Sequence, residues 1–128
     1  MIKLDGVHHV SINVRDVEAA REFYVDVLGL DVLLRPDFPF GGYWLKSGDT
    51  QLHLIEVQDF QPPKGQHFAF RVRDIDGILA ELSERNLVGG DDYMGIASGK
   101  IIEVPGVCRQ AFIFDPTGNM VELNEPVG

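Results

Sequence analysis

Polar and apolar residues alternate in a short segment near the start of the chain, and a helical pattern follows it. Within residues 9–14 every second residue is apolar, which predicts a strand with one apolar face. Apolar residues then recur at helical spacing over 17–28. Because Asp16 stands where an N-cap belongs and Gly29 where a C-cap belongs, the pattern predicts a strand, a turn and a helix.

The same pattern returns in the second half of the chain. The segment "HHVSINVRDVEAAREF", which starts at His8, aligns with "QHFAFRVRDIDGILAE", which starts at Gln66. The identical residues, all at one constant offset, are His9 and His67, Val14 and Val72, Arg15 and Arg73, and Asp16 and Asp74. A helical pattern again follows, over 75–82, with Asn86 at the C-cap position. Such a repeat indicates two copies of one structural unit.

Each half also ends in a strand, a tight turn and a strand, over 44–56 and 112–125. In the second of these turns Pro116 fixes its own φ and Gly118 can adopt a positive φ. The segment "QDFQPPKG", 58–65, contains two prolines that cannot donate to a strand ladder, so it predicts a linker.

These patterns predict an α+β fold made of two βαβββ modules, each with a helix on one face of its strands. We expect a single domain over 1–128, with module 1 at about 4–57 and module 2 at about 65–125. Half of a chain of this size is only marginally stable alone, which favours packing of the two modules together. The extra length of the second half, 89–100, is expected to be a loop.

Composition and charge exclude several function classes. The chain has 128 residues and a net charge of −9, from 11 basic and 20 acidic side chains, and an acidic surface repels nucleic acid. We expect neither a membrane span nor a signal peptide, because no apolar run is long enough and "MIKLDG", 1–6, lacks the apolar stretch of a signal peptide. Cys108 is the single cysteine, and we expect it to be a small buried hydrophobe in a cytoplasmic protein.

Parity along the strands separates the histidines. Some polar residues lie opposite the apolar positions of their strands, away from the helix-covered face. These residues are His9, His53, His67 and Glu122. His8 has the parity of the packed face and is expected to be structural. Glu56 has the apolar parity of its strand, so it ranks below His53 as a ligand.

A carboxylate among three imidazoles is hard to explain as a structural feature. Burying a charge costs roughly several kcal/mol unless it is paired or bound to a metal. A set of three nitrogens and one carboxylate suits Zn²⁺, Ni²⁺, Co²⁺, Fe²⁺ or Mn²⁺. The sequence therefore predicts a divalent metal site at His9, His53, His67 and Glu122.

The segments "HHVSINVRDVEAAREFYVDVLGL", "HFAFRVRDID" and "DPTGNMVELNE" resemble the vicinal oxygen chelate superfamily, which includes glyoxalase I, bleomycin-resistance proteins and extradiol dioxygenases. The resemblance implies a cupped mixed sheet around a divalent metal, with helices on the outer face. The ligands then come from the first and last strands of each module, at the same four positions. It also implies a glyoxalase-like lyase or isomerase that chelates a small substrate through adjacent oxygens and stabilises an enediolate-type charge. Glu122 would be a ligand and the general base.

Two positions depart from the glyoxalase I pattern and leave the activity open. Asn13 stands where glyoxalase I has an arginine that contacts glutathione, and His53 stands where it has a glutamate ligand. An Fe²⁺ extradiol dioxygenase needs a triad of two histidines and a carboxylate, which His9, His67 and Glu122 would supply. His53 is then either a residue that supports the ligands or an acid–base group. A fosfomycin-type transferase uses the same kind of triad. A bleomycin-resistance-like protein sequesters its ligand without metal.

Residues in 35–44 and 91–100 are predicted to line a substrate pocket or, alternatively, to close the core. The candidate pocket residues are Asn13, Phe38, Phe40, Trp44, Arg71 and Tyr93. Arg71 has the parity of His67 and meets either a substrate carboxylate or an acidic side chain. The expected partners are a small-molecule substrate and a second copy of the chain, since exposed sheet edges favour a homodimer. The sequence leaves open whether the two modules of one site belong to one chain or to two.

Overall fold

Two compact units, Met1–Gln61 and Pro62–Gly128, make up the computed structural model of the protein. The structure describes residues 1–89 and 95–128, together with the backbone of 92–93. Each unit holds a four-stranded mixed sheet and a helix. The predicted α+β fold class is confirmed.

The first unit follows the predicted order of a strand, a helix and three strands. Its elements are β1 (His9–Val14), α1 (Val17–Arg21), β2 (Asp31–Leu33), β3 (Gly42–Ser47) and β4 (Thr50–Glu56). A π-helical turn, Glu22–Val27, continues α1. The strand order is β1-β4-β3-β2, in which β1 and β4 are parallel and the other pairs are antiparallel. The first and last strands of the unit are therefore neighbours.

The second unit repeats this order with one addition. Its elements are β5 (His67–Arg71), α2 (Ile75–Glu84), β6 (Asp92–Tyr93), β7 (Ile96–Ala97), β8 (Ile102–Val104), β9 (Cys108–Phe114) and β10 (Met120–Pro126). The main sheet has the order β5-β10-β9-β8. Here too the first and last strands, β5 and β10, are parallel neighbours, while the other pairs are antiparallel.

The addition is the antiparallel pair of β6 and β7, which lies inside the segment 89–100. The expectation of an uninterrupted loop there is wrong for these residues. Gly95 adopts a φ of 79°, which allows the chain to reverse between the two strands. Strands of two residues are too short to show an alternation, so the sequence pattern could not reveal them.

The helix starts match the sequence pattern. The Asp16 carboxylate accepts from the backbone N–H groups of Glu18 and Ala19, both at 3.1 Å. The Asp74 carboxylate accepts from the backbone N–H of Gly77 at 3.0 Å. Each contact satisfies a helical donor that has no partner within the helix, so both N-caps predicted from the repeat are confirmed.

The helix ends match the pattern as well. Gly29 and Asn86 adopt positive φ values of 82° and 57°, the left-handed conformation that ends a helix. Asn86 is the one residue other than glycine with a positive φ in the described part of the chain. Asparagine tolerates this conformation better than most residues, which explains its place after α2.

A glutamate at the end of each last strand also supports the start of the helix. Glu56 Oε2 accepts from Val17 N at 3.2 Å, and Glu125 Oε2 accepts from Ile75 N at 3.0 Å. The two contacts are equivalent in the repeat, because each joins the end of the last strand to the first residue of the helix. This contact engages Glu56 at the helix start, in agreement with its low rank as a ligand.

The apolar face predicted for each pair of parallel strands is buried along the last strand and half-buried over much of the first. Its innermost side chains are at most 2% exposed and contribute about 1.5–3 kcal/mol each through burial. They are Val14, Leu52, Leu54, Val121 and Leu123. Cys108 is buried too, as predicted. No helix within the described ranges has the length and apolar content that a membrane crossing requires.

Candidate metal-binding site

The parallel pairing of β1 and β4 brings His9 and His53 together in the first unit. In the strand register His9 lies opposite Gln51, and His53 lies opposite Ser11. The two imidazole rings stack with a centroid distance of 4.2 Å and an interplanar angle of 13°. The pair predicted from parity in this unit is therefore in direct contact.

His53 is enclosed on both ring faces and is 8% exposed. Opposite His9, the Trp44 ring stacks on it at 4.4 Å and 7°. Gln51 Oε1 lies 2.9 Å from His53 Nε2 and accepts its proton, which leaves the lone pair on Nδ1. Burial lowers the pKa of His53, and the nearby His9, His8 and Arg35 lower it further. At neutral pH the ring is therefore uncharged, as a metal ligand must be.

His8 does not lie on the packed face, so that expectation is wrong. It is exposed and precedes β1, which begins at His9, and strand parity does not extend to a residue outside the strand. Its Nδ1 lies 3.0 Å from His9 Nδ1, so one of these two nitrogens donates to the other. His8 therefore engages one side of the His9 ring, and its carbonyl accepts from Gln51 N at 3.1 Å.

The second unit pairs His67 with Glu122 in the same way. His67 lies opposite Met120 in the register of β5 and β10, and Glu122 lies opposite Ala69. His67 thus corresponds to His9, and Glu122 to His53. His67 Nε2 lies 3.1 Å from Glu122 Oε1. The carboxylate belongs to a residue that is 8% exposed, so a histidine and a buried acid face each other as predicted.

The outer atoms of this pair are already engaged. The carbonyl of Gly65 accepts from His67 Nδ1 at 2.8 Å, and Asn124 Nδ2 donates to Glu122 Oε2 at 2.7 Å. A neutral His67 that donates through Nδ1 carries its lone pair on Nε2. That lone pair and Glu122 Oε1 are both acceptors. Two acceptors at 3.1 Å require a proton or a cation between them, and a divalent metal ion meets that requirement.

Each unit thus supplies two groups of the predicted four. Within the described ranges, no cluster of three or more His, Cys, Asp or Glu side chains could hold a metal ion. The pairs have the donor chemistry that a transition metal prefers, which is imidazole nitrogen with one carboxylate oxygen. The residues of each pair therefore fit such an ion, while the complete set of ligands stays a prediction.

The predicted aromatic residues form a cluster in the first unit. Phe38 and Phe40 stack at 5.3 Å, and Phe38 lies 6.0 Å from Trp44. The Arg35 guanidinium lies 5.0 Å and 5.2 Å from the centroids of the two phenylalanine rings. The phenylalanines are 38% and 45% exposed. Because Trp44 also stacks on His53, a continuous row of rings leads from exposed aromatics to the histidine pair.

The other candidate pocket residues are less informative. Asn13 is half-buried in β1 opposite Ile55, and Arg71 is exposed at the end of β5 opposite Asn124. The Tyr93 side chain lies outside the described part of the chain. Their role as pocket residues therefore stays a prediction.

The structure also reveals polar groups around the candidate site that the sequence patterns did not single out. These are Gln51 and Asn124, which hold His53 and Glu122, the Gly65 carbonyl, which holds His67, and Arg35 beside the phenylalanines. Both amides stand two residues from the side chain they hold. Because that spacing places them on the same strand face, it is a signal that the sequence did contain.

Known proteins resemble this chain over nearly its full length. The family model described as "Glyoxalase/Bleomycin resistance protein/Dioxygenase superfamily" matches residues 6–123. Glyoxylase I 4 of Arabidopsis thaliana is 28% identical, over 95% of this chain and 71% of that protein. A probable lactoylglutathione lyase of Synechocystis sp. is 26% identical, over 90% of this chain and 91% of that protein.

Solved structures give the same result. A putative glyoxalase family protein from Bacillus anthracis has a TM-score of 0.81 and 28% identity, and 99% of each chain is covered. TnmS3, an antibiotic binding protein from Streptomyces sp., has a TM-score of 0.72 and 32% identity. That match covers 99% of this chain and 100% of TnmS3.

Proposed function

Because the chain belongs to the Glyoxalase/Bleomycin resistance protein/Dioxygenase superfamily, we propose that it is a divalent-metal-dependent lyase or isomerase that acts on a small substrate with two adjacent oxygens. The proposed ligands are His9, His53, His67 and Glu122. The observation that carries the proposal is the 3.1 Å contact between His67 Nε2 and Oε1 of the buried Glu122. A bound ion would supply Lewis-acid stabilisation of negative charge on the substrate oxygens.

In the second unit each candidate ligand already has one polar atom held by a hydrogen bond. Gly65 holds His67 Nδ1, and Asn124 holds Glu122 Oε2, so Nε2 and Oε1 remain for the ion. A buried carboxylate is costly unless a positive charge or several donors compensate it. A divalent ion compensates the charge of Glu122 and uses the lone pair of His67 at the same time.

In the first unit both candidate ligands are imidazoles, and the buried His53 has a lowered pKa. Burial and neighbouring positive groups keep His53 uncharged, and Gln51 fixes its proton on Nε2. His53 occupies the register position of Glu122, and His9 that of His67. A set rich in imidazole favours Zn²⁺, Ni²⁺, Co²⁺, Fe²⁺ or Mn²⁺ over the hard ions Mg²⁺ and Ca²⁺.

The proposal gives Glu122 the additional role of general base. Its Oε1, the oxygen beside His67, would remove the proton from the substrate carbon next to a carbonyl and later return it to the product. The hydrogen bond from Asn124 to Oε2 leaves Oε1 available for this role. A homodimer and a cytoplasmic location belong to the same proposal.

Metal content of purified and reconstituted protein tests the proposal. We expect the wild type to bind an ion per chain, and the His67→Ala and Glu122→Ala variants to lose most of it. Gln110→Leu is the control, because the side-chain contact of Gln110 is with Cys108 and not with a proposed ligand. If the wild type cannot be loaded with any of the five metals, the proposal is wrong.

The reaction class is tested separately on the loaded protein. For a lyase or isomerase, we expect exchange of the carbon-bound proton with solvent in D₂O, followed by NMR. Loading with Fe²⁺ without oxygen, followed by a catechol and oxygen, tests the alternative of an extradiol dioxygenase. A coloured ring-cleavage product would favour that alternative.

A second candidate function is metal-independent binding of a ligand with a flat aromatic group. It is favoured by the exposed, stacked Phe38 and Phe40 rings and by the likeness to an antibiotic binding protein. Trp44 is the single tryptophan of the chain and contacts Phe38, so its fluorescence reports on this cluster. Quenching by aromatic ligands that is the same with and without EDTA would support this second function over the first.

A further inference from the structure

We infer that Asn124 is a positioning residue that selects Glu122 Oε1 as the working oxygen of the carboxylate. The Asn124 side-chain amide donates from Nδ2 to Glu122 Oε2 at 2.7 Å. Oε1 then lies at 3.1 Å from His67 Nε2. The inference rests on the proposed metal site and adds a residue to it.

The two oxygens of a free carboxylate are interchangeable. Rotation about the last side-chain bond of glutamate is broad and roughly two-fold, so an unheld carboxylate can present either oxygen or both. A hydrogen bond to an ionised acceptor at 2.7 Å is short and strong. By occupying Oε2, Asn124 keeps Glu122 a ligand through a single oxygen and fixes which oxygen that is.

Asn124 is also rigidly placed. It stands two residues after Glu122 on β10, which is the central strand between β5 and β9. In the register it lies opposite Arg71 on one side and Gln110 on the other. Because both side chains belong to one paired strand, their geometry exists before any ion binds, which lowers the cost of binding.

The first unit shows that the anchor matches the group it holds. The register position equivalent to Asn124 is Ile55, which has no polar side chain. The anchor there is Gln51, two residues before His53, and it offers an acceptor to an imidazole N–H. Asn124 instead offers a donor to a carboxylate. The amide that contacts the candidate ligand is therefore not a copy within the repeat. It stands at a different position in each unit and offers an acceptor to His53 but a donor to Glu122.

The test compares variants of Asn124 with a matched amide. Asn124→Leu removes the donor, and Asn124→Asp keeps the shape but replaces the donor with an acceptor. Gln110→Leu is the control, because Gln110 lies opposite Asn124 in the register and its Oε1 contacts Cys108 Sγ at 3.7 Å instead of Glu122. Co²⁺ affinity is measured by competition with a chelator, and the visible spectrum of the Co²⁺ protein is recorded.

We expect Co²⁺ affinity to fall about 10- to 100-fold in both Asn124 variants, which is the usual effect of losing a group that orients a metal ligand. The absorption bands of Co²⁺ should shift, because a carboxylate that binds through both oxygens changes the coordination. Gln110→Leu should match the wild type in both measurements. Asn124→Ser, which retains a hydroxyl donor, should recover part of the affinity.

Two failures can be told apart. If the wild type binds Co²⁺ and both Asn124 variants bind it with the same affinity and spectrum, the role of Asn124 is refuted while the metal site stands. If the wild type binds neither Co²⁺ nor any of the other four metals, both proposals are overturned. Thermal unfolding of each variant identifies any that does not fold, and the isosteric Asn124→Asp decides the result if Asn124→Leu is lost.

Discussion

The two units share a topology but pair different chemical groups. Each places its first and last strands side by side in parallel, and each puts a functional side chain at the same register position. In the first unit those side chains are two stacked imidazoles, and in the second they are an imidazole and a carboxylate. The repeat therefore determines where the candidate ligands stand, while the residue at each position determines which chemical group is presented there.

A shared feature explains why one member of each pair is buried. His53 and Glu122 belong to β4 and β10, which have a neighbouring strand on each side. His9 and His67 belong to the edge strands β1 and β5 and are exposed. The central strand thus carries the buried member of each pair, and the edge strand carries the more accessible partner.

The largest expected effect is on proton exchange and distinguishes Glu122 of the second unit from His53 of the first. Glu122→Gln removes the general base, so solvent-proton exchange should slow by about 10²- to 10⁴-fold. The equivalent change in the first unit, His53→Gln, should weaken metal binding but leave the base in place. Exchange measured by NMR at saturating metal distinguishes the two. Equal losses in both variants would contradict the assignment of the base to Glu122.

The next effect concerns the aromatic ring beside each pair. Trp44 lies opposite His53 in the register, and Phe112 lies opposite Glu122. Phe112 is buried and Trp44 half-buried, so we expect Phe112→Ala to cost about 3–4 kcal/mol of unfolding free energy and Trp44→Ala about 2 kcal/mol. Urea unfolding measures both. A larger loss for Trp44→Ala would mean that stacking on His53 outweighs burial.

A smaller effect compares the two helix caps. Asp16 accepts from two backbone N–H groups and Asp74 from one. We therefore expect Asp16→Ala to cost about 1.5 kcal/mol and Asp74→Ala about 1 kcal/mol. Unfolding free energies of the two alanine variants provide the comparison, with Asp→Asn at each site as the control that keeps an acceptor. The reverse order would show that the number of capped donors does not set the cost.

The smallest expected effect is the pH dependence of helix protection. It distinguishes the contact between helix and sheet in one unit from that in the other. In the first unit Tyr43 OH donates to Glu18 Oε1 at 2.6 Å, and this hydrogen bond raises the pKa of Tyr43. In the second, Arg109 contacts Asp76 at 2.7 Å, and its hydrogen bond lowers the pKa of Asp76. A contact that raises the pKa of an acid is lost as pH rises, and one that lowers it is lost as pH falls.

Hydrogen exchange of the two helices checks this difference. We expect protection of α1 to decrease above the ordinary pKa of tyrosine, through the raised value of Tyr43. We expect protection of α2 to decrease below the ordinary pKa of aspartate, through the lowered value of Asp76. Tyr43→Phe and Asp76→Asn should remove the respective pH dependence. If both helices lose protection at the same end of the pH range, the assignment is wrong.

Much of the fold could be predicted from the sequence because the signals are local. Alternation gave the buried faces of the strands, and the capping residues gave the helix ends, including the left-handed Asn86. The two failures have a common cause. His8 lies just outside its strand, and β6 and β7 are two residues long, so neither position follows an alternation that a sequence pattern can detect.

The candidate site could be predicted only in part. Parity selects side chains that share a face, and the structure brings those of each unit into contact. However, parity does not predict which atom of each side chain is available for binding. The proton on His53 Nε2 depends on Gln51, and the oxygen that Glu122 presents depends on Asn124. Such hydrogen bonds depend on rotamers, which tertiary packing fixes and local propensity does not.

The parallel pairing of first and last strands determines when the two candidate ligands of each unit come together during folding. In each unit the two candidate ligands stand on the strands that are farthest apart along the chain, with the helix and the other strands of the unit between them. Contacts between distant segments form late, because the loop that joins them must close first. A nascent or partly folded chain would hold single histidines but no chelating pair. If the proposed site binds a metal ion, tight binding would therefore mark completed folding of each unit.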